Sequence, residues 1–343
     1  MVESLSKNQL NSNKSFRLFS HKKKIVILAK LLTEKNVLPL PFMKKYFLLI
    51  LPVVLAIEVK AQQDPQFSQY MFNNMSFNPG YTGIEDAICA TALHRTQWLG
   101  FEDAPVSTNL SVQSPIQLLG GGLGLNVLTD KIAQNEFLSL SLSYAYRLEM
   151  AGGKLGIGLS VGVLQDGVDG SGFITESPDP SIPTTNEKAS GFDLGFGLHY
   201  KSEKVYIGLS SKHLNQPTIS TTVDIIDIKR HYYLTAGYIQ TISTKLDFKP
   251  SILIKSEGVT TTLDLTPMIE YNKKLWGGVT YRPSSRAVAL LGMHINDDLK
   301  FGISYDIPTI NVSKSGSFEF MLGYCFKIDY NKVLKGYKNP RFL

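Results

Sequence analysis

Period-two alternation of apolar with small or polar positions dominates this chain. From Leu138 the segment LSLSLSYAYRL sets Leu138, Leu140, Leu142, Tyr144, Tyr146 and Leu148 on one face, and Ser139, Ser141, Ser143, Ala145 and Arg147 on the other. The design recurs from Leu155 to Val163, opposite Gly156, Gly158, Ser160 and Gly162, and again from Phe192 to Tyr200. It returns over Leu299–Tyr305 and in the aromatic-rich Phe318, Phe320, Leu322, Tyr324, Phe326, Ile328 and Tyr330. Fourteen strand candidates follow, starting near residues 87, 105, 120, 134, 153, 190, 203, 229, 245, 262, 274, 286, 298 and 316. The second and third are faint, so twelve is the competing count.

A soluble sandwich also alternates, but it packs bulky residues inside. Here the bulky face is uniformly apolar and ends in aromatics, while the opposite face is Gly, Ser, Thr and scattered charge. That is the economy of a strand with lipid on one side and a lumen on the other. Tight turns follow the sixth, eighth, tenth and twelfth candidates, at Lys201, Ile242, Asn272 and Asn296, whereas long loops follow the fifth (166–188) and seventh (214–228). The expected fold is all-β: a transmembrane antiparallel β-barrel of about fourteen strands, with short periplasmic turns and longer extracellular loops.

Upstream of the alternation, Met43-Lys44-Lys45 precedes the apolar run Tyr46–Ile57 and a small-residue cleavage pattern ending at Ala61. The run is about a dozen residues, short of the ~20 a spanning helix needs. Residues 43–61 thus read as a signal peptide. Residues 1–42 read as an extension from a mis-assigned start codon, with an unusually long n-region as the alternative. The expected mature chain then comprises a leader (62–83), the barrel (84–330) and a periplasmic tail (331–343), located in the outer membrane of a Gram-negative bacterium.

This division moves the charge. Residues 1–61 carry 11 of the 35 Lys+Arg and 3 of the 29 Asp+Glu, which leaves 24 against 26, a net of −2, for residues 62–343. A nucleic-acid partner has no footing there.

Candidate chemistry is sparse. Gly158-Leu159-Ser160-Val161-Gly162 matches a nucleophile elbow but lies mid-strand, where the strand-to-helix turn is missing. His94, His199, His213, His231 and His294 are dispersed without metal-ligand spacing. Neither catalysis, a metal nor a cofactor is expected. Arg95, Gln97 and Trp98 read as a lumen and rim group, Arg95 pairing with an inward acid and Trp98 lying at the interface. Cys89 and Cys325 lie on the first and last strands near their periplasmic ends; they form either a seam disulfide or two separate apolar fillers. Phe173, Ile174, Pro178, Pro180 and Pro183 stiffen an external loop suited to a protein partner, and His213 to Pro217 opens another.

The leader QDPQFSQYMFNNMSFNPGYTG, the HRTQW of the first strand, the HLNQP after the seventh and the terminal NPRFL together resemble the PorP/SprF family of outer-membrane proteins associated with type IX secretion in Bacteroidota. The resemblance implies a non-enzymatic component of the secretion and gliding machinery. Such a component aids export or surface anchoring of large adhesin-like cargo with a C-terminal secretion domain, through contacts with other machine proteins. It also marks the leader, with Asp64, Pro65, Phe67, Tyr70, Asn78, Pro79 and Tyr81, as the first choice for a functional surface. A channel or transporter for small or hydrophobic solutes is the alternative. The leader itself is expected to plug the lumen or pack across its periplasmic mouth, since its aromatics need burial and its amides need partners.

Overall fold

The computed structural model describes residues 64–173, 183, 185–221, 225–258, 260–283, 286–308 and 315–327. Fourteen antiparallel strands close on themselves. They are β1 (Ile88–Thr96), β2 (Val106–Ile116), β3 (Gly121–Ile132), β4 (Asn135–Met150), β5 (Gly153–Asp169), β6 (Asn186–Ser202) and β7 (Val205–Lys212). The other half comprises β8 (His231–Tyr238 and Gln240–Ser243), β9 (Leu246–Phe248 and Ser251–Ser256), β10 (Thr261–Thr266 and Met268–Tyr271), β11 (Leu275–Arg282), β12 (Arg286–His294), β13 (Leu299–Pro308) and β14 (Ser317–Phe326). The second and third strands, faint in sequence, are full-length. Among the described residues no helix is long and apolar enough to cross a membrane.

Each strand pairs with its sequence neighbour, and β14 pairs with β1 from Ile88↔Phe326 to Thr96↔Phe318. Closure leaves no sheet edge for lipid to face. Cys89 sits directly opposite Cys325 in that seam, and the two are disulfide-bonded. The outward face carries Leu140, Leu142, Leu159, Phe192, Leu209, Val279, Leu291, Phe320 and Leu322, all exposed, as the alternation requires. β9 and β10 are each interrupted where Pro250 and Pro267 remove a ladder donor. Their carbonyls still accept from Tyr238 N at 3.0 Å and Val279 N at 3.2 Å, so the wall stays continuous.

The turns after even-numbered strands are tight. Ala151 and Gly152, at φ 51° and 73°, turn the chain between β4 and β5 in the left-handed geometry a two-residue hairpin wants. This short-turn end is the periplasmic one. At the other end the structure departs from expectation: β5 and β6 stay paired as far as Asp169↔Asn186, well inside the loop read as 166–188. Beyond the hydrocarbon no lipid face is needed, so the apolar alternation stops marking strand that backbone pairing continues. A small hairpin, Thr218–Ser220 with Ile225–Asp227, caps this wall, burying Ile219 with Leu164 and Ile228.

Candidate functional site

The lumen is filled by the leader. From Asp64 to Ala87 only Asp86 is exposed. The segment descends from the long-loop end to the short-turn end through three single-turn 3₁₀ helices, Tyr70–Phe72, Asn74–Ser76 and Pro79–Tyr81. Its chemistry is that of a core, with polar groups of the wall answering many of its backbone and amide groups.

At the long-loop end Asp64 meets both sides of the β7–β8 connection. Its Oδ2 accepts from Lys212 Nζ at 3.0 Å and Tyr233 OH at 2.8 Å, and its Oδ1 lies 3.2 Å from His213 Nε2. Lys255 Nζ donates to its backbone carbonyl at 2.7 Å. Burial pushes the Asp64 carboxyl up, but Lys212, with His213 and His231 behind it, more than offsets this and holds it well below the usual carboxylate range. His213 ends β7 at φ 55°, a left-handed turn in which His is enriched, and this aims its ring inward. Its Nδ1 is 2.9 Å from Asp193 Oδ1. Burial works to lower the His213 pKa; Asp64 first, then Asp193, raise it overall. The fully buried ring of His231 packs edge-on against His213, 5.3 Å between centroids.

One turn further down, Glu319 accepts from the backbone N–H groups of Ser68 (2.8 Å) and Gln69 (2.9 Å). Its charge and that of Asp306 are met by Arg95, which also donates to Ser68 Oγ at 3.1 Å. Arg282 grips Asp264 through two bonds of 2.6 and 2.7 Å, and Asp264 in turn receives Gln66. Taking such pairs out of water is costly unless further hydrogen bonds answer their lone pairs and protons; here the leader supplies some of them. Below them Tyr70 OH reaches Ser251 and Thr266, and Asn73 joins Asn109, Ser111 and Asn126 in an amide network, while Phe77 stacks at 5.3 Å on Tyr233, the tyrosine that also holds Asp64.

The Asn78-Pro79-Gly80 turn lies flat on the wall. Asn78 accepts from Gly80 N at 2.9 Å and donates to Leu198 O at 3.0 Å. A Cβ on Gly80 would stand 2.8 Å from Gly197 O and 2.9 Å from Gly156 O, so backbone meets backbone with no side chain between. The glycines of the lumen face, Gly158 of the elbow-like motif included, are the seat of this turn. At the periplasmic mouth Glu85 is held by Tyr81 OH and Lys201, and Asp86 by Arg147 at 2.7 Å and by Lys154. Beneath lies a cavity of about 440 Å³ lined by Glu85, His199, Lys201, Glu270, His294 and Lys300.

The residues singled out in sequence fall into three groups. Asp64, Tyr70, Asn78, Pro79 and His213 are buried, and Pro65, Phe67 and Tyr81 half-buried, against the protein's own wall. A partner surface built from them is corrected to a lumen contact, because the wall already takes up their apolar area and hydrogen bonds. Pro217 closes the base of the small hairpin, its carbonyl accepting from Ile228 N at 3.0 Å. Arg95 does take inward acids as partners; Trp98, at φ 48°, lies partly exposed at the rim beside half-buried Gln97. Phe173 is exposed at the β5–β6 tip and Pro183 half-buried there, whereas Ile174, Pro178 and Pro180 lie outside the described residues.

The histidines, dispersed in sequence, are not all dispersed in space: His213 and His231 converge on Asp64, with candidate ligand atoms within 4.8 Å of one another. Sequence reading also missed Asp193, Lys255, Asp264, Asp306 and Glu319. Each is a charge on the inward parity of a strand, and that parity was the signal that could have found them.

A family profile described as type IX secretion system membrane protein PorP/SprF matches residues 59–324. No sequence among the curated proteins matches. Among solved structures, the toluene transporter TbuX of Ralstonia pickettii is 13% identical with a TM-score of 0.45, over 81% of this chain and 98% of that one. Omp33, an outer membrane protein of Acinetobacter baumannii, is 7% identical with a TM-score of 0.42, over 71% of this chain and 100% of that one. Neither likeness bears on function.

Proposed function

This chain belongs to the PorP/SprF family of type IX secretion system membrane proteins, and on that premise we propose that it is a non-enzymatic docking barrel of the outer membrane. It helps export or anchor large adhesin-like cargo through protein contacts at its two ends. The observation that carries this reading is the occupied lumen: the leader is seated by buried ion pairs and backbone-to-backbone packing along its whole length. A diffusion pore needs a clear water-filled path, and a segment packed onto the wall in this way does not leave one.

The signal peptide at 43–61 belongs to the same proposal. Cleavage after Ala61 would start the mature chain two residues before Asp64, and Asp64 lies at the long-loop end of the lumen. The leader is then enclosed as the barrel closes rather than threaded in afterwards. What remains for partners is the long-loop rim, with exposed Phe173 at the tip of β5 and β6, and the periplasmic vestibule lined by Lys201, Lys300 and Glu270. Secretion-machine components and gliding-related adhesins with a C-terminal secretion domain are the proposed partners and cargo.

Replacing residues 170–185 by a short Gly-Ser linker tests this. The register through Asp169↔Asn186 is untouched, so the barrel should still assemble while cargo display at the cell surface is lost. Unchanged display together with reduced solute uptake would instead support the transporter reading.

A further inference from the structure

Asp64, His213 and His231 meet at the long-loop end of the lumen, and none of the contacts that seat the leader elsewhere explains how they are arranged. The three residues are buried, His213 and His231 at 1% and 0% exposure. His231 Nδ1 faces the carbonyl of Lys229 at 2.9 Å. Only an N–H can face a carbonyl oxygen, so in the neutral ring the lone pair lies on Nε2. That Nε2 makes no hydrogen bond, although Glu257 Oε2 is 3.3 Å away. A proton shared between the two would have to lie near the line joining them, and the geometry places it off that line. An ion would use the Nε2 lone pair that no hydrogen bond takes up.

His213 mirrors this. Its Nδ1 is turned to Asp193 Oδ1 at 2.9 Å, the carboxylate-to-imidazole pairing that fixes the tautomer of a metal-ligating His, and its Nε2 points at Asp64 Oδ1, 3.2 Å away. The 3.2 Å between His213 Nε2 and Asp64 Oδ1 is the edge of a tetrahedron with bonds of roughly 2.0 Å. The second oxygen of Asp64 is held by Lys212 and Tyr233, which leaves Oδ1 as its ligand atom.

We propose that Asp64, His213 and His231 bind a divalent transition-metal ion of the zinc class, with Asp193 orienting His213. Two imidazoles with a carboxylate oxygen suit Zn²⁺ and its spectroscopic stand-in Co²⁺ over Ca²⁺ or Mg²⁺, which take oxygen sets. On binding, the ion takes the place of any proton on His213 Nε2, and that proton leaves to solvent. Closing the set needs side-chain shifts of about 1 Å, since the ligand atoms of Asp64, His213 and His231 lie within 4.8 Å of one another. The ion would tie the start of the leader to both roots of the β7–β8 loop and so latch the plug at its outer end.

The test uses the full mature chain purified in detergent. Metal-stripped protein is titrated with Co²⁺, followed by visible absorption, and the Zn²⁺ content is measured after dialysis. One equivalent of Zn²⁺ with tetrahedral Co²⁺ bands is expected, both lost in His213→Asn and His231→Asn. Asp193→Asn, which keeps every ligand, should weaken Co²⁺ binding by about 10- to 100-fold. Heat-modifiable migration on gels reports whether each variant folds; if the ligand variants do not, the wild-type stoichiometry and the Asp193→Asn shift decide. No bound equivalent in the wild type, or binding equal in wild type and all folded variants, overturns the proposal and leaves the histidines as parts of an ion-pair network.

Discussion

At the scale of single residues the leader is held by charges that the wall can answer only when it is docked. Glu85 is the clearest at the periplasmic mouth. Burial alone would raise its pKa, but Lys201 and the bond from Tyr81 bring it below the ordinary carboxylate value. A carboxyl with a folded pKa below its unfolded one contributes stability that is complete above the unfolded value, and loses it as pH falls through the folded one. The Glu85–Lys201 pair is partly open to solvent, with side chains 27% and 38% exposed, so its worth is about 1 kcal/mol or less. Thermal unfolding of wild type and Glu85→Gln followed by circular dichroism should show a steeper loss of stability for the wild type as pH falls from the ordinary carboxylate value through the lowered one. Parallel curves would remove Glu85 from the account.

At the scale of elements the governing contact is between the Pro79–Tyr81 turn and the inward faces of β5 and β6. A Cβ at Gly158 would lie 2.3 Å from Pro79 C and O. Gly158→Val therefore lifts the turn off the wall while leaving the outward Leu159 and Ile157, and hence the membrane face, as they are. Overpacking of this kind costs about 1–3 kcal/mol, which corresponds to roughly a 5- to 160-fold rise in the exposed fraction of the leader. Limited proteolysis of the detergent-purified protein should show that rise, with cleavage confined to residues 64–86; an unchanged rate would mean that the turn is not what seats the leader.

These elements also show how far the sequence could be read. Outward Leu140, Leu159 and Phe320 announced their strands, because lipid requires a continuous apolar face. The outer ends of β5 and β6 did not, because above the membrane that requirement lapses while backbone pairing goes on. The candidate site was legible only as an unusual leader. Asp64 and His213 are 149 positions apart, and nothing local in HLNQP says that a left-handed turn at His213 will aim its ring at the leader.

At the scale of the whole molecule a fourteen-strand wall encloses enough space for a ligand or a plug, and here one segment of the same chain fills it while the Cys89–Cys325 bond closes the seam beside the periplasmic mouth. Deleting Asp64–Gly80 would leave Arg95, Lys255 and Asp264 facing water inside a folded wall. Planar-bilayer recordings should then show a steady conductance that the intact protein does not have. Equal conductance in the two would place the leader outside the path of ions.

The sequence by itself determined the class of fold, since a period of two with lipid-grade apolar residues on one side and glycine and serine on the other leaves a closed barrel as the economical solution. It also carried the family, through motifs that lie mostly in the leader. Only the tertiary structure decided what those motifs do. A leader with no regular period has no face of its own, so whether its aromatics and amides turn to a partner or to the lumen depends on which groups the closed wall presents to it. Closure brings Glu319, Arg95, Gly156 and His213, hundreds of positions apart at the extreme, onto one short segment, and that convergence cannot be read from any stretch of the chain alone.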